Sequence, residues 1–397
     1  MKKFASQLTA LGSVASLLGL FTITAHAAPL KVYILCGQSN MEGHAQTKTF
    51  PAIAKDPKTK HLYDKMVGPD GKPVIMDDVW IAYSYGNFSG DPVGKKSGKL
   101  TAGYGSQHHV GTGKIGPELT FGITMHELQG EPILLIKDAW GGKSLMVDFR
   151  PPSAGKLPED HKNKDKAGRY YKLLIDHVKE VLANPKAVYP DYNAKDGYEL
   201  AGFVWFQGFN DMVGPYPRKE PAKGKKSTKD YSEYSRLMAC FIRDVRKDLK
   251  APKLPFVIGA LGVGGEKASE GAIAFRNAMA APAESDEFKG NVAAVFTHKY
   301  WPSELDDVTA KVSAVKKTFH RRRGEIKKME NEARSKAQKQ LDKEMTAAMD
   351  KALTKDDKWL LENGISNRGF HYHGSAKFFA QIGKAFAETL VKLEKGQ

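Results

Sequence analysis

Residues 32–41 read Val-Tyr-Ile-Leu-Cys-Gly-Gln-Ser-Asn-Met. An apolar, β-branched run of this length predicts a strand buried on both faces, as in a parallel sheet. The run ends at Gly37, and Ser39 follows where the strand gives way to a loop. Because open α/β sheets bind ligands just beyond the carboxyl ends of their strands, Ser39 is a candidate nucleophile. On spacing alone, Ser39 or Asn40 could equally cap a following helix.

Strand-like and helix-like patterns alternate along most of the chain. Strands are predicted at residues 30–36, 132–136, 201–206, 255–261 and 292–296, and helices at 117–128, 171–183, 231–249, 273–281 and 376–393. This alternation predicts a doubly wound sheet of five parallel strands. Its carboxyl edge would bring together the loops that follow Cys36, Ile136 and Phe206.

Two long stretches interrupt this alternation. Residues 43–109 are rich in Gly, Pro, Lys and Asp, which predicts an insertion of loops and short hairpins over the site. Residues 307–357 carry apolar side chains on a nearly constant four-residue step, which predicts a long charged helix or helical hairpin broken at Gly324. A solvated helix explains this charged segment, although substrate attraction or partner docking would also fit.

The first 27 residues have the pattern of a secretory signal peptide. Two lysines precede an apolar stretch from about residue 8 to 23, and Ala-His-Ala follows at 25–27. A transmembrane anchor is the competing interpretation, but Ser13, Ser16 and Thr22 interrupt the stretch and no basic flank follows it. We expect cleavage near Ala27 and a secreted or periplasmic domain of residues 28–397, without a stable membrane anchor.

The net charge and the cysteines restrict the possible partners and chemistry. Half of the formal charge of +16 lies between Lys311 and Lys355, without the aromatic or helix-turn-helix context of a nucleic-acid-binding protein. An anionic polysaccharide or an acidic surface is a better partner. Cys36 and Cys240 fall in apolar patterns that predict two buried thiols rather than a disulfide, and a thiol buried in a strand is a weaker candidate nucleophile than Ser39.

The loops after the predicted strands carry the groups that ester hydrolysis needs: a nucleophile, a base, and donors for the developing oxyanion. Besides Ser39, they offer glycine N–H groups at Gly141 and Gly142, side-chain amides at Gln207 and Asn210, and the histidines His371 and His373. Each of these alone has an ordinary explanation as a turn, a helix cap or a structural histidine.

Together these motifs resemble the SGNH hydrolases, and most closely the branch of sialate O-acetylesterases and carbohydrate esterase family 6 acetylxylan esterases. The resemblance rests on Gly-Gln-Ser-Asn-Met at 37–41, Gly-Pro-Glu-Leu at 116–119, Gly-Gly-x-Ser at 141–144, Gly-x-Asn-Asp at 208–211, and a histidine before the last helix. It implies a single esterase domain with a three-layer α/β/α, flavodoxin-like fold.

The resemblance also implies roles for individual residues. Ser39 would be the nucleophile and His371 the general base, preferred over His373 because an aromatic residue follows the catalytic histidine in the family. The oxyanion would be held by the Ser39 N–H, by a glycine N–H at Gly141 or Gly142, and by Asn210.

The chain departs from the family at the acid of the triad. Family members carry Asp three residues before the histidine, or Glu after Gln-Gly, and these positions are Arg368 and Phe209 here. A Ser–His dyad, a backbone carbonyl, or Asp211 could take the place of the acid.

The predicted function is that of an exported serine esterase that removes O-acetyl groups from a carbohydrate without a metal or cofactor. The candidate substrate-binding residues are Gln38, Gly141, Lys143, Gln207 and Arg150. Lys137, Lys143 and Arg150 would form a cationic wall for an anionic sugar, unless they form structural ion pairs. The alternatives are a non-catalytic carbohydrate-binding protein on the same scaffold and a GDSL-type lipase or thioesterase.

Overall fold

The computed structural model describes residues 28–87, 89–107, 113–220 and 227–396. The predicted signal peptide lies outside the described residues. Within these ranges, no helix is long and apolar enough to cross a membrane.

The described residues form a seven-stranded sheet with the order β3-β2-β4-β1-β5-β6-β7. Its strands are β1 (Leu30–Gly37), β2 (Val79–Gly86), β3 (Pro92–Lys99), β4 (Ile133–Ala139), β5 (Tyr198–Phe206), β6 (Phe256–Ala260) and β7 (Val292–Phe296). All neighbouring strands pair in parallel except β3, which is antiparallel to β2.

The five strands predicted from sequence occupy one side of this sheet, in the order β4-β1-β5-β6-β7. Counted among themselves this is 2-1-3-4-5, the flavodoxin-like order. The prediction of only five strands was wrong, because β2 and β3 from the loop-rich insertion extend the sheet beside β4. The edge strand β3 alternates between exposed and half-buried residues and has no apolar run, so its pattern resembles a loop.

Helices cover both faces of the sheet. They are α1 (Ser39–Glu42), α2 (Pro51–Lys55), α3 (Lys60–Met66), α4 (Glu118–Gln129), α5 (Arg169–Ala183), α6 (Phe209–Val213), α7 (Ser232–Asp248), α8 (Glu270–Ala280), α9 (Ser303–Thr318), α10 (His320–Ile326), α11 (Asn331–Ala352), α12 (Lys355–Asn363) and α13 (Ala376–Glu394). On one face Phe121 of α4 packs on Tyr33, and on the other Phe241 of α7 packs on Trp205. The result is the predicted three-layer α/β/α arrangement.

The segment predicted as one long helix or a helical hairpin contains four helices, α9 to α12. Gly324 lies inside α10, and the helices are instead separated at Phe319, at residues 327–330 and at residues 353–354. An exposed glycine is tolerated within a helix at a cost of about 1 kcal/mol, so glycine alone does not place a helix end.

Both cysteines are free and buried, as predicted. Cys36 is fully buried in β1, and this burial raises the pKa of its thiol well above the usual range. A neutral thiol inside the sheet is a poor nucleophile, so Cys36 is not a competitor of Ser39.

Candidate active site

The site is built where the strand order reverses, at the carboxyl end of β1. Gly37 pairs with Ala139 of β4 on one side and with Phe206 of β5 on the other, so the loops after these three strands meet. A Cβ on Gly37 would lie 2.1 Å from the Phe206 carbonyl oxygen, and only glycine allows this approach. Ser39 begins α1 immediately beyond this point and is 8% exposed. This crevice is where doubly wound sheets bind their ligands.

Gln38 links the serine loop to the loop after β5. Its Oε1 accepts hydrogen bonds from Gln207 Nε2 at 3.1 Å and from the Gly208 N–H at 3.3 Å. Its Nε2 donates to Asn210 Oδ1 at 3.2 Å. Because Asn210 Oδ1 is the acceptor in this bond, Asn210 Nδ2 is left as a donor for a reacting oxygen.

The two glycines of the next loop differ in what their N–H groups contact. The Gly141 N–H donates to Glu42 Oε1 at 2.7 Å, and Glu42 is buried at the end of α1. Gly142, with φ of +73°, lies beside Asn210 in the lining of a cleft of about 440 Å³. Of the two candidates for the oxyanion N–H, the geometry therefore favours Gly142.

Asp211 stabilises the loop that carries these glycines. Its carboxylate accepts hydrogen bonds from the Leu145 N–H at 2.8 Å, the Met146 N–H at 3.0 Å, Gln207 Nε2 at 2.6 Å and the Tyr216 hydroxyl at 3.0 Å. Burial raises the pKa of this carboxyl, although all four donors oppose the shift. With its oxygens bonded to these groups, Asp211 is not the partner of His371 that the sequence suggested.

Three predicted substrate contacts point instead into the protein. Gln38 and Gln207 are buried and use their amides in the network between the loops. The Arg150 guanidinium donates from Nε to the Gly155 carbonyl at 2.7 Å, and from its Nη atoms to the carbonyls of Met146 and Ala154. These placements correct the prediction, because side chains bonded in this way stabilise loops rather than bind a ligand.

The predicted cationic wall is also only partly formed. Lys137 is fully buried, 2.7 Å from Glu118 Oε2, so it is a structural ion pair and does not face a ligand. Lys143 borders the cleft, where its Nζ donates to the Ser89 carbonyl at 3.0 Å and lies over the Tyr170 ring.

The histidine loop is held in an unusual conformation by Tyr372. Tyr372, His373 and Gly374 all have φ between 53° and 60°, the left-handed region that non-glycine residues rarely adopt. Tyr372 is fully buried, stacks on Phe378 at 3.7 Å between ring centroids, and accepts the Gly262 N–H at 2.9 Å. Packing that fixes such a backbone is typical of functional sites. The aromatic residue after His371 therefore anchors the loop.

The two histidines of this loop have different partners. His371 Nδ1 lies 3.0 Å from Asn367 Oδ1, and its ring stacks on His44, five residues after Ser39. His373 Nε2 lies 2.9 Å from Asp306 Oδ1, on the first turn of α9. Only His371 is thus in contact with the segment that carries the serine.

Sequence reasoning missed Asn367, His44 and Glu42 around His371. His44 and Glu42 lie close after Ser39 in the sequence, and Asn367 precedes His371 by four residues. This proximity in sequence is the feature that could have identified them as parts of the site. Burial, followed by the nearby charges of His44, Lys114 and Arg368, lowers the pKa of His371 to about 2. The imidazole is therefore neutral near pH 7.

This fold and site define a doubly wound α/β hydrolase whose candidate nucleophile lies at the switch point of the sheet. Residues 29–300, more than half of the chain, match the profile of the carbohydrate esterases described as sialic acid-specific acetylesterases. The chain belongs to this family, which confirms the resemblance to the sialate O-acetylesterases, and it is a carboxylic ester hydrolase of the carbohydrate esterase class. No curated protein sequence matches it.

Solved structures with similarity to this chain include three proteins. A protein from Arabidopsis thaliana is 18% identical, with a TM-score of 0.37, over 68% of this chain and 86% of that one. A carbohydrate acetylesterase from Xanthomonas citri is 15% identical, with a TM-score of 0.38, over 66% and 49%. A carbohydrate esterase family 2 enzyme with a carbohydrate-binding domain, from Corynascus thermopiles (Myceliophthora fergusii), is 13% identical, with a TM-score of 0.29, over 68% and 57%. This chain spans about half the length of the last two.

Proposed function

We propose that the protein is an exported esterase that hydrolyses O-acetyl esters of a carbohydrate, with Ser39 as nucleophile and His371 as general base. The observation that carries the proposal is the position of Ser39 at the switch point, with the Asn210 amide turned by Gln38 so that its Nδ2 is available as a donor. The signal-peptide pattern of residues 1–27 supports export.

The reaction proceeds in two steps. Ser39 Oγ attacks the acetyl carbonyl carbon while His371 Nε2 takes the hydroxyl proton, and the sugar hydroxyl then leaves with that proton. Water, deprotonated by His371, attacks the acetyl-serine ester, and acetate and free Ser39 result. In both steps the Ser39 and Gly142 N–H groups and the Asn210 amide stabilise the oxyanion.

The first test combines labelling with product analysis. We expect a fluorophosphonate to modify Ser39, identified by mass spectrometry of the tryptic peptide, and the unlabelled protein to release acetate from acetylated sugars. Ser232, an exposed serine at the start of α7, is the internal control and should stay unmodified. Glycan binding without labelling or acetate release would indicate a binding protein. Faster hydrolysis as the acyl chain lengthens would indicate a lipase or thioesterase.

We propose further that the cleft beside Gly142 and Asn210 receives an anionic sugar. Its lining includes the basic residues Lys143, His161, Lys162, Lys166 and Arg169 and the acids Asp91, Asp148 and Asp211. Asp148 accepts hydrogen bonds from the Ser144 N–H and hydroxyl, and Asp211 is bonded as described above. Among the described residues, none of Lys162, Lys166 and Arg169 forms an ion pair, so these cations are available for a ligand carboxylate.

Removing two of these cations should weaken binding of a charged substrate selectively. For Lys166→Gln/Arg169→Gln, we expect KM for an acetylated uronic or sialic acid to rise about tenfold, with kcat and the KM for a neutral acetylated xyloside little changed. Arg334→Gln/Lys336→Gln, which removes the same two charge types from exposed positions on α11, is the matched control. Equal KM changes for charged and neutral substrates would contradict an anionic subsite.

A further inference from the structure

We propose that Asn367 takes the place of the missing triad acid, as a positioning residue that fixes the tautomer of His371, while His44 holds the plane of the ring. The inference rests on the proposed function, because it assumes that His371 is the base for Ser39. Positions 368 and 209 carry Arg and Phe instead of the acid of the family, so another group must orient the base.

The orientation of the Asn367 amide is determined by a group that can only donate. The Arg368 backbone N–H donates to Asn367 Oδ1 at 2.8 Å, which identifies that atom as the oxygen. The same Oδ1 lies 3.0 Å from His371 Nδ1. Since a carbonyl oxygen can only accept, His371 Nδ1 must carry the proton. Nε2 then has its lone pair available, as a general base requires.

Whereas Asn367 fixes the tautomer of His371, His44 restricts the tilt of the His371 ring. The rings of His44 and His371 stack with centroids 3.9 Å apart and planes 3° from parallel. Asn367 Nδ2 is 3.5 Å from His44 Nδ1, so one amide contacts both imidazoles. Glu42 Oε2 lies 3.5 Å from His44 Nε2, while its Oε1 accepts the Gly141 N–H. These contacts connect the base to the loop that carries the oxyanion donor Gly142.

An uncharged amide orients an imidazole but stabilises its charged form less than a carboxylate does. Within the described ranges, no carboxylate lies within ion-pair distance of His371, whereas His373 has Asp306. The charged and titratable groups around His371 are His44, Glu42 behind His44, Lys114 and Arg368. Among the described residues, the proposed base is therefore oriented but has no paired carboxylate to compensate the charge that it gains with the proton of Ser39.

Two substitutions of Asn367 separate orientation from charge. Asn367→Ala should lower kcat about 10- to 100-fold with KM nearly unchanged, because both tautomers of His371 become populated. Asn367→Asp keeps the acceptor and adds a charge, so the acidic limb of the kcat/KM profile should move up by about 1 pH unit or more. Asn363→Ala and Asn363→Asp, at the end of α12, are matched controls that should leave both quantities unchanged.

A spectroscopic readout makes the test independent of turnover. In ¹⁵N NMR, His371 of the wild type should show the Nδ1–H tautomer, and Asn367→Ala should show a mixture. A wild-type Nε2–H tautomer, a kcat of Asn367→Ala within twofold of wild type, or an unshifted profile for Asn367→Asp would each overturn the proposal. Failure of the proposed function is seen separately, as a wild type in which Ser39 is neither labelled nor needed for acetate release.

Discussion

Replacing His371 with alanine is expected to lower kcat for acetate release by about 10⁴-fold, and Ser39→Ala should have an effect of the same size. The double variant should lose little more than either single variant, because a nucleophile and its base act as one unit. His373→Ala, two residues away on the same loop, should keep kcat within about tenfold of the wild type. Initial rates of acetate release from an acetylated sugar, measured for all four variants, check these expectations.

The contrast between the two histidines follows from their contacts. His371 stacks on His44, within the segment that carries Ser39. His373 is 4% exposed, its Nε2 is bonded to Asp306, and its ring packs against Trp301. Trp301 Nε1 also donates to Asp306 Oδ2 at 2.6 Å. His373 therefore attaches the histidine loop to α9, which is a structural role.

A structural role for His373 predicts a change in stability rather than in chemistry. His373→Ala should lower Tm, while His371→Ala should leave Tm closer to that of the wild type, because His371 is only partly buried. The opposite pattern, with kcat lost in His373→Ala and retained in His371→Ala, would identify His373 and Asp306 as the base and its acid. Circular dichroism of each variant shows whether a low kcat reflects loss of the fold.

The sequence was sufficient to predict five of the six strands that pair in parallel. A parallel strand covered by two helical layers must be apolar throughout, so β1, β4, β5, β6 and β7 were recognisable as runs. The edge strand β3 meets solvent and contains Gly and Lys, so no apolar run marks it as a strand. β3 was missed for this reason, whereas β2 is apolar, largely buried and parallel to β4, and was missed although its own pattern indicates a strand.

The site shows the same division between local and long-range information. Residues at strand ends were predicted as candidates because their place follows from topology, as for Ser39 and Asn210. Their roles depend on which atoms meet, and a sequence does not contain that information. In the sequence Arg150 is a candidate ligand contact, but in the structure its guanidinium donates to three backbone carbonyls. In the sequence Asn367 is an ordinary loop residue, and only the structure shows that its amide oxygen contacts His371 Nδ1.

Lys137→Met is expected to lower the free energy of unfolding by about 3–5 kcal/mol, the largest stability effect of any substitution proposed for this protein. Lys137 Nζ donates to the carbonyls of Glu42 at 2.8 Å and Tyr104 at 2.7 Å, and to Glu118 Oε2 at 2.7 Å. Both charged side chains are fully buried, so desolvation lowers the pKa of Lys137 and raises that of Glu118. Methionine fills similar space but leaves Glu118 as an unpaired buried carboxylate.

A second substitution, at Glu118, tests whether the unpaired carboxylate causes the loss of stability in Lys137→Met. Glu118→Gln in the Lys137→Met background removes that charge, and its amide oxygen can still accept the Gly116 N–H that Glu118 accepts at 2.9 Å. We expect the double variant to recover a large part of the lost stability in urea unfolding. Lys172→Met, which breaks the exposed pair with Asp176, should cost less than about 1 kcal/mol.

Because Lys137 also donates to the Glu42 carbonyl at the end of α1, the double variant should regain stability without recovering the full kcat of the wild type. Equal recovery of stability and kcat would mean that Lys137 does not position α1, the helix that begins at Ser39.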